Sequence, residues 1–212
     1  MRSKSKSRIL LALFLFAMAF CRGPDKSELK PAGEDILSKP LDNMTVSDLK
    51  KIRVLVQTEY GNFVIGFYPE KAPTLVKNFV KLIQQGFYDG LYFHMVVPNY
   101  MVIAGDPKGD GTGGPGWWVK PEFNDLPHIR GAVGMSHPPF NPEQIGSQFY
   151  VMLTNSGTRT GGYPVFGYVE KGMEVLDRIG EIPSSGITGK PPWKPAVIVH
   201  IKDMKLMLAE EK

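Results

Sequence analysis

Beyond Tyr92 the apolar residues arrive in short bursts, each cut off by glycine or proline. Tyr92–Val97, Met101–Ala104, Gly131–Met135, Ser147–Leu153 and Val165–Val169 are such runs. None is long enough for a core helix, and runs of this length bounded by turn residues read as strands. The 23 glycines and 18 prolines of the 212-residue chain supply the turns. A hydrophobic share of 42% against 22% charged excludes a disordered or collagen-like polymer and gives enough apolar surface for one core.

Before Tyr92 the pattern is clearer. Ile52, Val54 and Val56 alternate with Arg53, Leu55 and Gln57, and Phe63, Ile65 and Phe67 alternate again after Glu59-Tyr60-Gly61-Asn62. The pair predicts a β-hairpin. Ala72-Pro73-Thr74 opens a helix whose apolar stripe is Leu75, Val76, Phe79, Val80, Leu82 and Ile83, stopped by Gly86. A second helix is expected over Met173–Ile179, and a last strand from Ala196 to about Met204. Many short strands with two helices and no βαβ alternation predict a mainly β protein, a closed antiparallel barrel capped by two α-helices. Neither an internal repeat nor a second domain is evident.

The first twenty residues read as an address. Met1–Arg8 is basic and Ser-rich, and Ile9–Phe20 is a stretch of twelve apolar residues. That is short of the roughly 20 residues needed to span a bilayer and has the form of an export signal. Cys21, the single cysteine, precludes an intrachain disulfide and ends the apolar run. Its setting resembles a bacterial lipobox, although Phe20 stands where a small residue is preferred. The resemblance implies lipidation of Cys21 and a membrane-anchored lipoprotein on the exported side of a bacterial cell envelope. Cleavage after Ala17-Met18-Ala19 is the alternative and would give a soluble periplasmic or secreted protein. Residues 21–49 read as a flexible tether and 50–207 as the folded domain.

Charge carries little. The net charge is +4, but Arg2, Lys4, Lys6 and Arg8 lie in the leader, and 21 basic residues then face 21 acidic ones. Nothing points to nucleic acid. Gly109-Asp110-Gly111-Thr112-Gly113-Gly114 contains a G-x-G-x-x-G pattern, but Pro115-Gly116 follows where a dinucleotide site needs a helix, so a surface loop is expected. His94, His128, His137 and His200 lack metal-ligand spacing, and no cofactor is expected. A monomer is the default.

Three stretches, in order and at matching spacing, resemble the cyclophilins, the barrel family of peptidyl-prolyl cis-trans isomerases. They are Phe93-His94-Met95-Val96-Val97-Pro98-Asn99-Tyr100-Met101-Val102-Ile103-Ala104-Gly105-Asp106, then Arg130–Ser136 with Gly146-Ser147-Gln148-Phe149-Tyr150, and Val165–Val169. The resemblance spans about 50–206 and implies binding of X–Pro segments of unfolded or exported polypeptides. It implies a site of Met95, Tyr100, Gln148 and Tyr150, with Met101, Ile103, Ser136, His137, Thr158, Arg159 and Tyr163 contacting substrate. Tyr100 and Tyr150 stand where the family has phenylalanine, and Tyr163 where it often has histidine. Met95 replaces the family's arginine and Ile103 its glutamine, so two polar members are missing. A thioether donates no hydrogen bond. The expectation is an isomerase of reduced activity; the alternatives are a proline-peptide binding module without turnover and a scaffold lipoprotein. Arg159 is the cation placed to substitute, whereas a solvated or structural role is expected for Arg130.

Overall fold

The computed structural model describes residues 34–137, 141–157, 162–185 and 193–210. The leader, Cys21, Thr158 and Arg159 lie outside the described residues. Helix α1 (Glu34–Ser38), a 3-10 turn (Leu41–Asn43) and α2 (Val46–Lys51) precede β1 (Ile52–Thr58) and β2 (Gly61–Phe67). Then come α3 (Pro73–Gln84), β3 (Met95–Val97), β4 (Met101–Ala104), β5 (Ala132–Met135), β6 (Phe149–Met152), β7 (Val165–Lys171), α4 (Met173–Gly180) and β8 (Ile201–Leu208).

The eight strands form one antiparallel sheet in the order β3-β4-β6-β5-β7-β2-β1-β8. It is mainly β and curled, as expected, but closure differs from a complete barrel. No ladder joins β3 to β8. Instead the residues flanking them are stitched together: Phe93 N donates to Val199 O at 3.1 Å, Ile201 N to Leu91 O at 2.7 Å, and Tyr92 bridges His200. The last strand also starts later than Ala196. Pro195 has no N–H to give a ladder, and residues 194–196 pair instead with 183–185, Ser185 N bonding Lys194 O at 2.9 Å and Ala196 N bonding Pro183 O at 2.7 Å.

The expected tether is a second correction. Residues 41–49 are packed, with Met44 and Leu49 buried. A capping box holds α2: Thr45 Oγ1 accepts from Asp48 N at 3.1 Å while the Asp48 carboxylate accepts from Thr45 N at 2.7 Å. Among the described residues two short helices, α1 and α2, thus precede the two expected ones. The two expected ones are in place, α3 across β7 and β8 and α4 against β2, β3 and β4. The first amides of α3 have no side-chain cap from Ala72; Glu122 reaches across to accept from Thr74 N at 3.1 Å and Leu75 N at 2.9 Å. A carboxylate there satisfies orphan donors and complements the helix dipole.

Inside the curl lies the main core. Phe79 of α3 touches the rings of Phe67, Tyr88, Phe149 and Phe166, at centroid distances of 6.2, 5.1, 5.4 and 5.0 Å. In β4 and β6 the residues alternate between this interior and a second apolar layer. Val102, Ala104, Phe149 and Val151 point in, whereas Met101, Ile103, Tyr150 and Met152 belong to the cluster on the other face.

Candidate active site

That outer cluster brings together six of the expected site residues, Met95, Tyr100, Met101, Ile103, Tyr150 and Tyr163. Buried Met101, Ile103, Ala132, Tyr150, Met152 and Val165 form it, and Tyr68, Met95, Val97, Tyr100, Leu126 and Tyr163 pack against it. Strand register explains the gathering. Met95 lies opposite Ile103, Ile103 opposite Tyr150, and Tyr150 opposite Gly134, so one row crosses β3, β4, β6 and β5. The next row sets Val97, Met101 and Met152 side by side. Beside the cluster, Arg130 lines a cleft with Tyr68, Leu126, Ala132 and Val165.

The tyrosines are set differently from one another. Tyr150 is fully buried, and its ring leans across Gly134, where an added Cβ would sit 2.1 Å from the hydroxyl oxygen. The strand accepts that approach because residue 134 has no side chain. The hydroxyl meets Nε2 of buried His128 at 2.5 Å. Tyr100 is half-buried and its hydroxyl lies 3.2 Å from Ser156 Oγ. Tyr163 stacks on His137, centroids 4.3 Å apart and planes 9° apart, and meets the edge of Tyr150 at 6.1 Å. Tyr163 therefore joins two residues that sequence reasoning named separately.

Gln148 is aimed by the neighbouring loop. Its Nε2 donates to Gly111 O at 3.0 Å and to Gly113 O at 2.9 Å, which leaves the amide oxygen as the group it can present. The loop is held in turn by Asp106, a buried carboxylate accepting from the amides of Lys108, Asp110 and Gly111 at 2.8, 3.0 and 2.5 Å. The glycine-rich stretch is thus a loop folded on Asp106, with no helix after it. Ser136 N donates to Gln148 O at 2.8 Å, so Ser136 sits beside Gln148, and both line a narrow cleft whose far wall is Trp118.

Arg130 gives a two-pronged contact to Asp177 at 2.6 and 2.5 Å and a third bond to Leu153 O at 2.9 Å, the structural one of the two roles expected for it. That contact lowers the pKa of Asp177 and raises that of Arg130. Burial holds His94 below the ordinary histidine value against the pull of Asp106 and Asp110. No three His, Cys, Asp or Glu side chains gather among the described residues. No helix of the described residues is long and apolar enough to cross a membrane.

His128, Ser156 and Gly134 are members of this arrangement that sequence reasoning missed. His128 and Tyr150 are 22 positions apart and Tyr100 and Ser156 are 56 apart, so no local pattern announces either contact.

An antiparallel curled sheet with its main core on one face and an apolar cluster on the other defines a barrel-like, mainly β class of protein. The chain belongs to the cyclophilin-type peptidyl-prolyl cis-trans isomerases: the model of that family matches residues 53–203. A peptidyl-prolyl cis-trans isomerase of Synechococcus elongatus is 42% identical over 118 residues, covering 56% of this chain and 80% of that protein. Peptidyl-prolyl cis-trans isomerase B of Bacillus subtilis is 44% identical over 119 residues, 55% of this chain and 82% of the other. A Cryptosporidium parvum cyclophilin-type isomerase, whose crystal structure was determined in the presence of the dipeptide Ala-Pro, superposes with a TM-score of 0.66 at 27% identity, over 75% of this chain and 99% of that one.

Proposed function

We propose that this isomerase turns X–Pro bonds of exported polypeptides at a reduced rate, held at a bacterial cell envelope through a lipidated Cys21. Rotation about a peptide bond faces a barrier of about 18–20 kcal/mol from amide resonance, and no covalent bond need break. What remains for a protein is to seat the proline ring in an apolar pocket, hold the flanking backbone, and favour the twisted amide. Met101, Tyr100, Tyr150 and Tyr163 supply apolar and aromatic wall. Gln148 and Ser136 supply polar groups for the backbone. That the Cryptosporidium structure was determined in the presence of Ala-Pro supports a prolyl ligand.

One observation carries the reduced rate: Met95 lies directly opposite Ile103, and Arg130 beside the cluster is held by Asp177 and Leu153 O. Both positions are apolar, so neither supplies a donor toward the twisted amide. A preorganised transition-state donor is worth about 10²–10³ in rate. The residual catalysis comes from desolvation and orientation by the pocket. The same observation favours a second reading, a module that binds proline peptides without turning them.

Exchange NMR on an X–Pro peptide separates the two, because one spectrum reports binding and cis/trans exchange. The expected result is weak but measurable acceleration by the native chain and a gain of about 10²-fold or more in Met95→Arg. Binding with no acceleration, restored by Met95→Arg, selects the binding module. Absence of binding by both forms refutes both readings in favour of a scaffold. For the anchor, Cys21→Ser is expected to move the protein from the membrane fraction to the soluble one, and an unchanged distribution excludes lipidation at that residue.

A further inference from the structure

Tyr100 and Tyr150 each add a hydroxyl where the family pattern has a bare ring. A hydroxyl on a buried apolar face is costly unless it is bonded. Both are met by built partners: Tyr150 by His128 Nε2 at 2.5 Å, with the two rings stacked at 15°, and Tyr100 by Ser156 Oγ at 3.2 Å. The partners are themselves joined, because Ser156 N donates to His128 O at 2.7 Å. A chain of contacts therefore runs from one tyrosine hydroxyl to the other through His128 and Ser156. The tyrosines stand on neighbouring strand segments, and Leu153 N donating to Tyr100 O at 2.8 Å ties the same two segments at their ends.

We propose that His128 and Ser156 act as a polar strap that positions Tyr100 and Tyr150 as a single unit. They are positioning residues, acting on the reaction through the two rings. The consequence for turnover rests on the isomerase reading above; the linkage itself is a property of the free protein. A ring held by packing alone can tilt about its side-chain torsions, whereas a bonded hydroxyl fixes the far end as well. With Met95 and Ile103 apolar, orientation by the pocket walls carries more of the catalysis, and small misplacements cost rate.

Tyr100→Phe, Tyr150→Phe, the double variant, His128→Gln and His128→Phe test this on the full chain. The phenylalanine variants keep the apolar ring, so the fold is retained. The first readout is the carbon-13 ring resonance of labelled tyrosines in the free protein. Tyr100→Phe is expected to shift the Tyr150 signal, and Tyr150→Phe the Tyr100 signal. The second is peptide exchange at saturation. Each single variant is expected to lower it by about three- to tenfold, the scale of one net hydrogen bond, with little change in peptide affinity. The double variant is expected to lose less than the product of the two, and His128→Gln, which keeps a side-chain donor and acceptor, less than His128→Phe. Ring signals that ignore each other, or losses that simply multiply, overturn the strap. If the native chain shows no acceleration, the isomerase reading falls while the ring signals still decide the linkage.

Discussion

The two faces of the curled sheet are both buried yet built to different rules. The interior around Phe79 is a nest of phenylalanine and aliphatic side chains, with Tyr88 the fully buried tyrosine among them, its hydroxyl bonded to Ser147 O at 3.0 Å. The outer cluster carries four tyrosines, Tyr68, Tyr100, Tyr150 and Tyr163. Interior rings interlock and need no direction. Outer rings are aimed: Tyr150 by His128, Tyr100 by Ser156, and Tyr163 by its stack on His137. The difference teaches which face holds the molecule together and which is shaped for a ligand. Tyrosine suits the latter, offering a rigid ring with a polar tip.

The largest effect should come from the interior. Phe79→Ala removes a ring that touches four others and leaves a void bounded by Phe67, Tyr88, Phe149 and Phe166. Closely packed surroundings relax only in part, so a stability loss of about 3–5 kcal/mol is expected in denaturant titration. The molecules that remain folded should bind a proline peptide with unchanged affinity. A fall in affinity that exceeds the loss of folded protein would show that the two faces are not separable in this way.

The two faces were also unequally legible from the chain. In β1 the residues alternate between buried and half-buried, so the period of two survives in the sequence and the hairpin is read directly. In β4, β5 and β6 all four residues of each strand are buried, and an unbroken apolar run does not say which side a residue takes. Met101 and Val102 look alike in the sequence, yet one faces the site and the other the core. Their assignment came from the cyclophilin motif, because the pattern of burial left no trace. The helix α2 was missed although Thr45 and Asp48 have the spacing of a capping box, since only Met44 and Leu49 nearby supply buried apolar contacts. The displaced start of β8 reflects Pro195 and the partners that residues 194–196 find at 183–185. His128 has no metal-ligand spacing to mark it in the sequence, and its partner, the Tyr150 hydroxyl, is 22 positions away and reached only through the fold.

A smaller stability effect with a larger functional one should come from Gly134→Ala. The new Cβ would lie 2.1 Å from the Tyr150 hydroxyl oxygen and 2.3 Å from Cζ, far inside contact distance. The tip of the ring cannot yield without releasing His128, and on the β5 side residue 134 is fixed by its pairing with Tyr150 and Val165. Something must move, and forcing a methyl into a close-packed site typically costs about 1–3 kcal/mol. That is less than the loss expected for Phe79→Ala. The displaced group, however, is a wall of the proposed proline pocket, so peptide affinity should fall well beyond what the change in folded fraction explains. Thermal unfolding beside an NMR peptide titration of the same variant measures both quantities. If stability drops while affinity holds, Tyr150 packs the sheet without forming the pocket. If both hold, the ring has another resting place and the separation of the two faces rests on Tyr100 and Met101 instead.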